Sequence, residues 1–155
     1  MKKQSLIKIK TIPQILVASI QGEGKIKDLN KDIDKLYEYI YKNNYQDKIM
    51  GPTIALFYTK SVGKYIAVGK YIAAVPIKEK FTTKGKIKIR KLPKIKCVSI
   101  IHREGNIENS YNKLFTYIKR YNLNWRFPVR EIFIPKGKNK YIIEIQIPIK
   151  SSIFK

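Results

Sequence analysis

Ile7-Lys8-Ile9-Lys10-Thr11-Ile12-Pro13 recurs 80 residues later (7 to 87) as Ile87-Lys88-Ile89-Arg90-Lys91-Leu92-Pro93. Both segments then continue through apolar residues to a Ser-Ile pair, at Ser19-Ile20 and at Ser99-Ile100. The offset is about half of the 155-residue chain. A repeat of this length exceeds one strand-and-turn unit but is short for an independent domain, so we expect each half to bury its apolar face against the other.

Three further blocks match in the same order along the two halves. Residues 35–40 match 113–118, residues 51–57 match 127–133, and residues 75–78 match 147–150. Chance similarity in a chain rich in lysine and isoleucine would not keep four blocks colinear. The pattern therefore predicts an internal duplication, with copies at about 6–78 and 86–150.

Each half is predicted to contain a strand, a helix and two further strands. Pro13 and Pro93 interrupt the first strand of each half, because proline cannot donate to a strand ladder and so marks a bulge or an edge. The first helix is predicted with Asp28 as its cap, and the second is predicted to follow Asn109-Ser110. Helical spacing of apolar residues supports both, at Leu29, Ile33, Leu36, Tyr37 and Ile40 and at Tyr111, Leu114, Phe115 and Ile118. The remaining extended segments are 54–59, 65–77, 129–135 and 141–149, with turns at Gly63 and 136–139.

These elements predict an α+β fold. Two duplicated β-α-β-β units related by a pseudo-twofold axis would form an antiparallel sheet covered by two helices. A central cleft is expected at the symmetry axis, where the two halves meet.

The composition indicates one domain over residues 1–155 without a membrane segment. At 18.2 kDa the chain can bury about two-thirds of its unfolded surface in a single core. No apolar run approaches the roughly 18 residues of a spanning helix, and residues 1–5 lack the apolar segment of a secretory signal. We therefore expect a cytoplasmic protein. The single cysteine, Cys97, cannot form an internal disulfide and is expected to be a buried thiol.

The chain is strongly basic, with 33 Lys and Arg against 11 Asp and Glu and a formal net charge of +22. Such an excess is typical of proteins with nucleic-acid partners. However, Lys, Ile, Asn and Tyr are enriched together, as a codon bias toward A and T would produce. The lysines are also spread along strands and loops. We interpret the charge as a solvated basic surface, and keep nucleic acid or a DNA-associated protein as the alternative partner.

The sequence predicts no metal, nucleotide or other cofactor. Gly63-Lys64 and Gly69-Lys70 lack the spacing of a phosphate loop and the Ser or Thr that follows its lysine. One His and one Cys do not furnish a zinc site, and no ligand spacing is present. His102 ends a predicted strand, where a hydrogen-bonding role is favoured over that of a catalytic base.

Glu131 is the residue that departs from the duplication. Alternation along the strand places Glu131 on one face with Val129 and Phe133, and Arg130 on the other face. In the matching strand of the first half, Ala55 occupies the position of Glu131. A buried carboxylate is costly without a partner, and a cationic ligand could supply one. The alternative is an ion pair with a cation of the chain, such as Arg130 or Lys140.

Aromatic residues accumulate around the same strand. Aromatic faces around one carboxylate form a receptor for a lipophilic cation, through cation–π attraction and charge pairing. The candidates for the binding site, besides Glu131 and Tyr65, are Phe57, Tyr58, Tyr71, Tyr111, Trp125, Phe133 and Tyr141.

Several short motifs, spread over nearly the whole chain, point to one known family. They are Leu92-Pro93, His102-Arg103-Glu104-Gly105, residues 114–118, Phe127-Pro128, Glu131-Ile132-Phe133 and residues 145–149. In these motifs and in the order of its elements, the chain resembles the GyrI-like small-molecule-binding family. This family includes gyrase-inhibitory proteins and the effector-binding domains of multidrug-responsive transcription regulators.

The resemblance implies a duplicated β-α-β-β fold, also called SOUL-like, with a central pocket for hydrophobic and often cationic compounds. The family's pocket glutamate corresponds to Glu131. Some members hydrolyse reactive small molecules with this glutamate and pocket aromatics. Two departures weaken a hydrolytic role: Phe133 stands where the family often has Tyr, and Tyr117 where Trp is common.

Three functions follow from these observations. The first is a free-standing small-molecule-binding protein, because no segment before Ile7 could hold a helix-turn-helix. Its ligand would be hydrophobic and cationic, with Glu131 as charge partner. The second is a basic protein that interacts with nucleic acid or gyrase, and the third is a hydrolase in which Glu131 activates water.

Overall fold

The computed structural model describes residues 6–58 and 69–150, which form eight β-strands and two α-helices in the order β-β-α-β-β, twice. The turn predicted at Gly63 and the candidate Tyr65 lie outside the described residues. A short 3₁₀ turn spans Gln46–Lys48. The main elements are β1 (Lys8–Ile12), β2 (Ile15–Gly24), α1 (Ile26–Lys42), β3 (Ile54–Phe57), β4 (Gly69–Pro76), β5 (Ile87–Leu92), β6 (Ile95–His102), α2 (Ile107–Arg120), β7 (Val129–Pro135) and β8 (Tyr141–Pro148).

The first predicted strand of each half is in fact two strands. β1 ends just before Pro13 and β2 begins just after it, while Pro93 separates β5 from β6 in the same way. β1 pairs with β6 and β5 pairs with β2, so each half contributes its first strand to the edge of the other half. Proline removes a ladder hydrogen bond, and here it marks the point where the chain leaves one part of the sheet for the other.

All eight strands form one antiparallel sheet, and the predicted α+β fold is confirmed. The strand order is β1-β6-β8-β7-β3-β4-β2-β5. If each strand of the first half is exchanged with its counterpart in the second half (β1 with β5, β2 with β6, β3 with β7, β4 with β8), the result is the same order read from the opposite edge. The strand order therefore has a pseudo-twofold axis between β3 and β7, the two central strands, and we call their boundary the seam.

The lysine-rich segments that revealed the repeat are the two edge strands of the sheet. β1 has the sequence KIKTI and β5 the sequence IKIRKL. Charged side chains on an edge strand disfavour pairing with another chain, because the unpaired backbone groups of an edge otherwise invite it. Some of the lysines and arginines of this chain therefore lie on edge strands, where their charge disfavours pairing with another chain.

Both helices begin a few residues earlier than the apolar spacing predicted. α1 has Lys25 as N-cap, and Asp28 lies three residues inside, where its carboxylate accepts from the Lys25 N–H at 2.8 Å. α2 begins at Ile107, because the Asn106 side chain accepts from the Glu108 N–H at 3.0 Å. The first turn of α2 is mostly polar, so hydrophobic periodicity detects the helix only from Tyr111 onward.

The two helices pack on the same face of the sheet, each on its own half. α1 buries Leu29, Leu36 and Ile40 in one core cluster, which includes the alanines Ala18, Ala55 and Ala73 of β2, β3 and β4. α2 buries Tyr111, Leu114 and Ile118 against Val98, Ile145 and Ile147 of β6 and β8. The opposite face carries a third cluster, whose members include Val17, Ile54, Leu56 and Ile132. The seam therefore runs between two helix-covered cores.

Candidate functional site

Glu131 lies on β7 at the seam, between the two helix-covered cores. Its direct neighbour across the seam is Ala55 of β3, and its neighbour on the other side is Ile145 of β8. Both neighbours are fully buried, and Glu131 itself is partly buried. The residue that the predicted duplication aligns with Glu131 is thus the one that faces it in the sheet, and the two central strands differ in charge at the axis itself.

The carboxylate of Glu131 has one hydrogen-bond donor among the described side chains. The Tyr111 hydroxyl of α2 donates to Glu131 Oε2. Tyr111 is only 2% exposed, because it packs in the core cluster between α2 and the sheet. Burial raises the pKa of the Tyr111 hydroxyl well above its ordinary value, so the hydroxyl keeps its proton and remains a donor.

The surroundings of Glu131 favour its neutral form more than water does. Burial raises the pKa of Glu131 from 4.5 to about 7, although the hydrogen bond from Tyr111 lowers it. Among the described residues, no Lys or Arg nitrogen lies within ion-pair distance of this carboxylate. The alternative of an ion pair with Arg130 or Lys140 is therefore wrong. Arg130 faces the opposite side of the sheet and donates to the Pro93 carbonyl.

Two groups of aromatic rings flank Glu131. One group extends from Tyr111, which stacks on Phe115 with ring centroids 6.4 Å apart; Phe115 meets Trp125 edge-on at 5.0 Å. The other group lies two residues further along β7, where Phe133 meets Tyr141 edge-on at 5.6 Å. The carboxylate thus has aromatic neighbours toward α2 and toward the β7–β8 turn.

A cleft of 490 Å³ opens beside Phe133, between α1 and the β7–β8 turn. Its walls include Ile33 of α1, Thr53 before β3, Phe133, Tyr141 and one basic residue, Lys140. Thr53 is held by Tyr37 of α1, whose hydroxyl lies 2.6 Å from Thr53 Oγ1. Phe133 and Glu131 share one face of β7 two residues apart, which places their Cα atoms about 7 Å apart. This volume is within the range of pockets that hold drug-sized ligands.

A family model for the GyrI-like small molecule binding domain matches residues 6–150. The chain belongs to this family. A search of curated protein sequences finds no match. The family assignment agrees with the order of elements and with the two helices on one face of an eight-stranded sheet.

Solved structures share the fold of this GyrI-like domain at low sequence identity. The C-terminal domain of EcmrR has a TM-score of 0.76 at 17% identity, over 96% of this chain and 99% of that one. A hydrolase from Listeria innocua has a TM-score of 0.69 at 10% identity, over 93% and 91%. The structure of SAV2435 bound to tetraphenylphosphonium has a TM-score of 0.57 at 15% identity, over 94% of both chains. At these identities the likeness concerns the fold.

The structure brings some of the predicted aromatic residues together and separates others. Tyr111 contacts Glu131, and Phe133 and Tyr141 line the cleft. Trp125 contacts Phe115, which stacks on Tyr111. Phe57 and Tyr71 are buried in the α1 core, where the Tyr71 hydroxyl donates to Asp32 at 2.6 Å.

Tyr58 lies on the opposite face, beside Arg130, and does not join the cleft. The cleft walls Asn30, Ile33 and Thr53 were not predicted as site residues. Thr53 is two residues before Ala55 and on the same face, and this alternation could have identified Thr53 as a site residue from the sequence.

The residues that the sequence assigned to structural roles have such roles. His102 ends β6, its Nδ1 lies 2.8 Å from Ser110 Oγ, and its Nε2 lies 3.0 Å from the Gly105 carbonyl oxygen. Cys97 is fully buried, and burial raises the pKa of its thiol to about 11. The described residues hold no group of three or more His, Cys, Asp or Glu that could bind a metal ion. Neither α1 nor α2 is long and apolar enough to cross a membrane.

Proposed function

We propose that this GyrI-like domain binds a hydrophobic cation in the cleft beside Phe133, with Glu131 as its charge partner. The observation that carries the proposal is a carboxylate at the seam with a tyrosine donor and no described cationic partner. A ligand cation would supply the missing charge, and the desolvation that disfavours the carboxylate when empty would strengthen the attraction when occupied.

The aromatic rings determine the ligand class. Phe133 and Tyr141 lie on the cleft side of Glu131, and Tyr111 and Phe115 lie on the α2 side. A cation placed over an aromatic face gains about 0.5–2 kcal/mol, more when water is excluded. The ligand body would lie against Phe133 and Tyr141, with its charge toward Glu131. The structural likeness to SAV2435, a protein seen with tetraphenylphosphonium, supports this choice of ligand.

Binding should depend on pH through Glu131. The pKa of this carboxyl is about 7, so protons compete with a cationic ligand below neutral pH. A cation that binds the carboxylate form favours ionisation, and cation affinity should therefore rise as pH increases through about 7. The affinity of a neutral ligand of the same shape should not rise.

The experiment is calorimetric titration of the protein with tetraphenylphosphonium and with neutral triphenylphosphine oxide, at pH 8. We expect Glu131→Gln to weaken tetraphenylphosphonium about tenfold or more, because a charge-assisted contact contributes about 1.5–3 kcal/mol. The neutral compound should bind both proteins alike. Asp32→Asn is the matched control, since it removes a carboxylate that accepts a hydrogen bond from a tyrosine, Tyr71, in the other half. Equal cation affinity in Glu131→Gln and the wild type would remove the assigned role of Glu131.

Hydrolysis of reactive small molecules is the second candidate function. The observation that favours it is a carboxyl with a pKa of about 7 beside a tyrosine hydroxyl, since a base with this pKa is half ionised at neutral pH. Activated esters and strained rings, incubated with the wild type and with Glu131→Gln, test this function. Turnover that is equal in the two proteins would exclude Glu131 as the base.

A further inference from the structure

Arg130 is a buried cation whose guanidinium has few partners in the part of the chain that the structure describes. It is 1% exposed and follows the alternation of β7, so it faces the side of the sheet opposite Glu131. Arg130 Nη2 donates to the Pro93 carbonyl at 2.9 Å. Arg130 Nε and Nη1 have no hydrogen-bond partner among the described residues. Native proteins rarely leave buried donors unpaired, and an unpaired buried charge costs several kcal/mol.

No carboxylate among the described residues lies within ion-pair distance of Arg130. Glu144, the acidic residue of β8 on this face, accepts hydrogen bonds from Lys10, Ser99 and Gln146. Cys97 and Tyr58 are the titratable groups that act on Arg130. Burial raises the pKa of both groups, to about 11 for Cys97, so both stay neutral at physiological pH.

A cleft of 370 Å³ has Arg130 among its walls. It is separate from the cleft beside Phe133 and lies on the other face of the sheet. Its walls are mostly apolar, and a second arginine, Arg126, contributes an exposed side chain. Besides the two arginines, the walls include Leu56, Tyr58, Pro93 and Phe127.

We propose that this second cleft binds a singly charged organic anion with an apolar or aromatic body, such as an aryl carboxylate or sulfonate. The anion would pair with Arg130 and the body would lie against Leu56 and Phe127. One buried guanidinium in apolar walls matches one negative charge better than the two charges of a phosphate monoester. Consecutive residues of β7 would then serve ligands of opposite charge on opposite faces of the sheet, Glu131 for a cation and Arg130 for an anion.

The test uses 1-naphthoate and its neutral analogue 1-naphthalenemethanol, in titration calorimetry and in thermal unfolding. We expect 1-naphthoate to bind the wild type and to raise its unfolding temperature, and the neutral alcohol to bind more weakly. Arg130→Met should weaken 1-naphthoate about 10- to 100-fold, the range of a charge-assisted hydrogen bond. Arg120→Met is the matched control, because it removes the same charge from the exposed end of α2 and should bind like the wild type.

Stability without ligand separates this proposal from a purely structural role of Arg130. An unpaired buried charge replaced by an apolar side chain of similar size should leave the protein as stable as the wild type or more so. A structural role predicts a less stable Arg130→Met protein with unchanged 1-naphthoate affinity, and this result would overturn the proposal. Equal affinities for 1-naphthoate and the alcohol, or no binding of 1-naphthoate, would do the same.

A variant at the exposed Arg126 decides the matter if Arg130→Met does not fold. Arg126→Met leaves the core intact, and we expect it to weaken 1-naphthoate about threefold, as for a partly solvated charge pair. Unchanged affinity in that variant would overturn the proposal.

Discussion

Glu131→Gln should change the stability of this protein by an amount that depends on pH. The substitution keeps the size of the side chain and an oxygen that can accept from the Tyr111 hydroxyl. It removes the ability to ionise at the seam, between the buried neighbours Ala55 and Ile145. The free energy of unfolding therefore isolates the cost of charge at this position.

The magnitude follows from the pKa of Glu131, which is about 7 in the fold against 4.5 for an unperturbed carboxyl. A difference of about 2.5 units corresponds to about 3 kcal/mol, at 1.36 kcal/mol per unit. Because the folded-state pKa is the higher one, the neutral carboxyl stabilises the fold fully below about pH 4.5. This contribution is lost as the pH rises through about 7. Glutamine does not titrate, so Glu131→Gln should equal the wild type near pH 4 and be about 3 kcal/mol more stable at pH 8.

The assay is urea unfolding of both proteins between pH 4 and pH 8.5, without ligand. In thermal unfolding the same difference should appear as about 6–12 °C at pH 8, for a chain of this size. Glu144→Gln is the matched control of opposite sign. Burial raises the pKa of Glu144, but hydrogen bonds from Gln146, Lys10 and Ser99 outweigh it and lower the pKa. Glu144→Gln should therefore destabilise most at neutral pH and less as the pH falls. A Glu131→Gln effect that is constant with pH, or destabilising at pH 8, would refute the reasoning.

Three further predictions concern the site, the core and the surface. Tyr111→Phe removes the hydrogen bond that lowers the pKa of Glu131, so the midpoint of cation affinity against pH should move upward from about 7; Tyr71→Phe, its counterpart in the α1 core, should leave it in place. Leu36→Ala and Leu114→Ala, at matched buried positions of α1 and α2, should each cost about 2–5 kcal/mol in denaturant unfolding, and a near-zero cost at either would contradict the two-core description. Duplex DNA should bind the +22 chain at low salt and lose affinity steeply as salt rises, equally for unrelated sequences; a sequence preference in gel-shift assays would instead indicate a dedicated DNA site.

The local features of this chain could be predicted because they depend on neighbours in the sequence. Alternation along β7 correctly placed Glu131 and Arg130 on opposite faces of the sheet, and helical spacing correctly placed Leu36 and Leu114 on the buried faces of α1 and α2. The predicted starts of α1 and α2 are a few residues late, because Lys25 and Asn106 cap the N-termini through backbone and side-chain hydrogen bonds that apolar periodicity does not report. Pro13 and Pro93 marked two interruptions, but their sequence context did not show that the chain exchanges strands there.

The sequence by itself determined the α+β class, and it predicted two similar halves whose similarity fails at Glu131, since both inferences are comparisons between positions in the chain. Only the tertiary structure decided that Ala55 and Glu131 face each other, that Tyr111 reaches the carboxylate, and that Arg130 has no counter-ion among the described residues of the other face. These contacts join residues far apart in sequence. Strand pairing and helix packing bring them together, and local propensities carry no information about either.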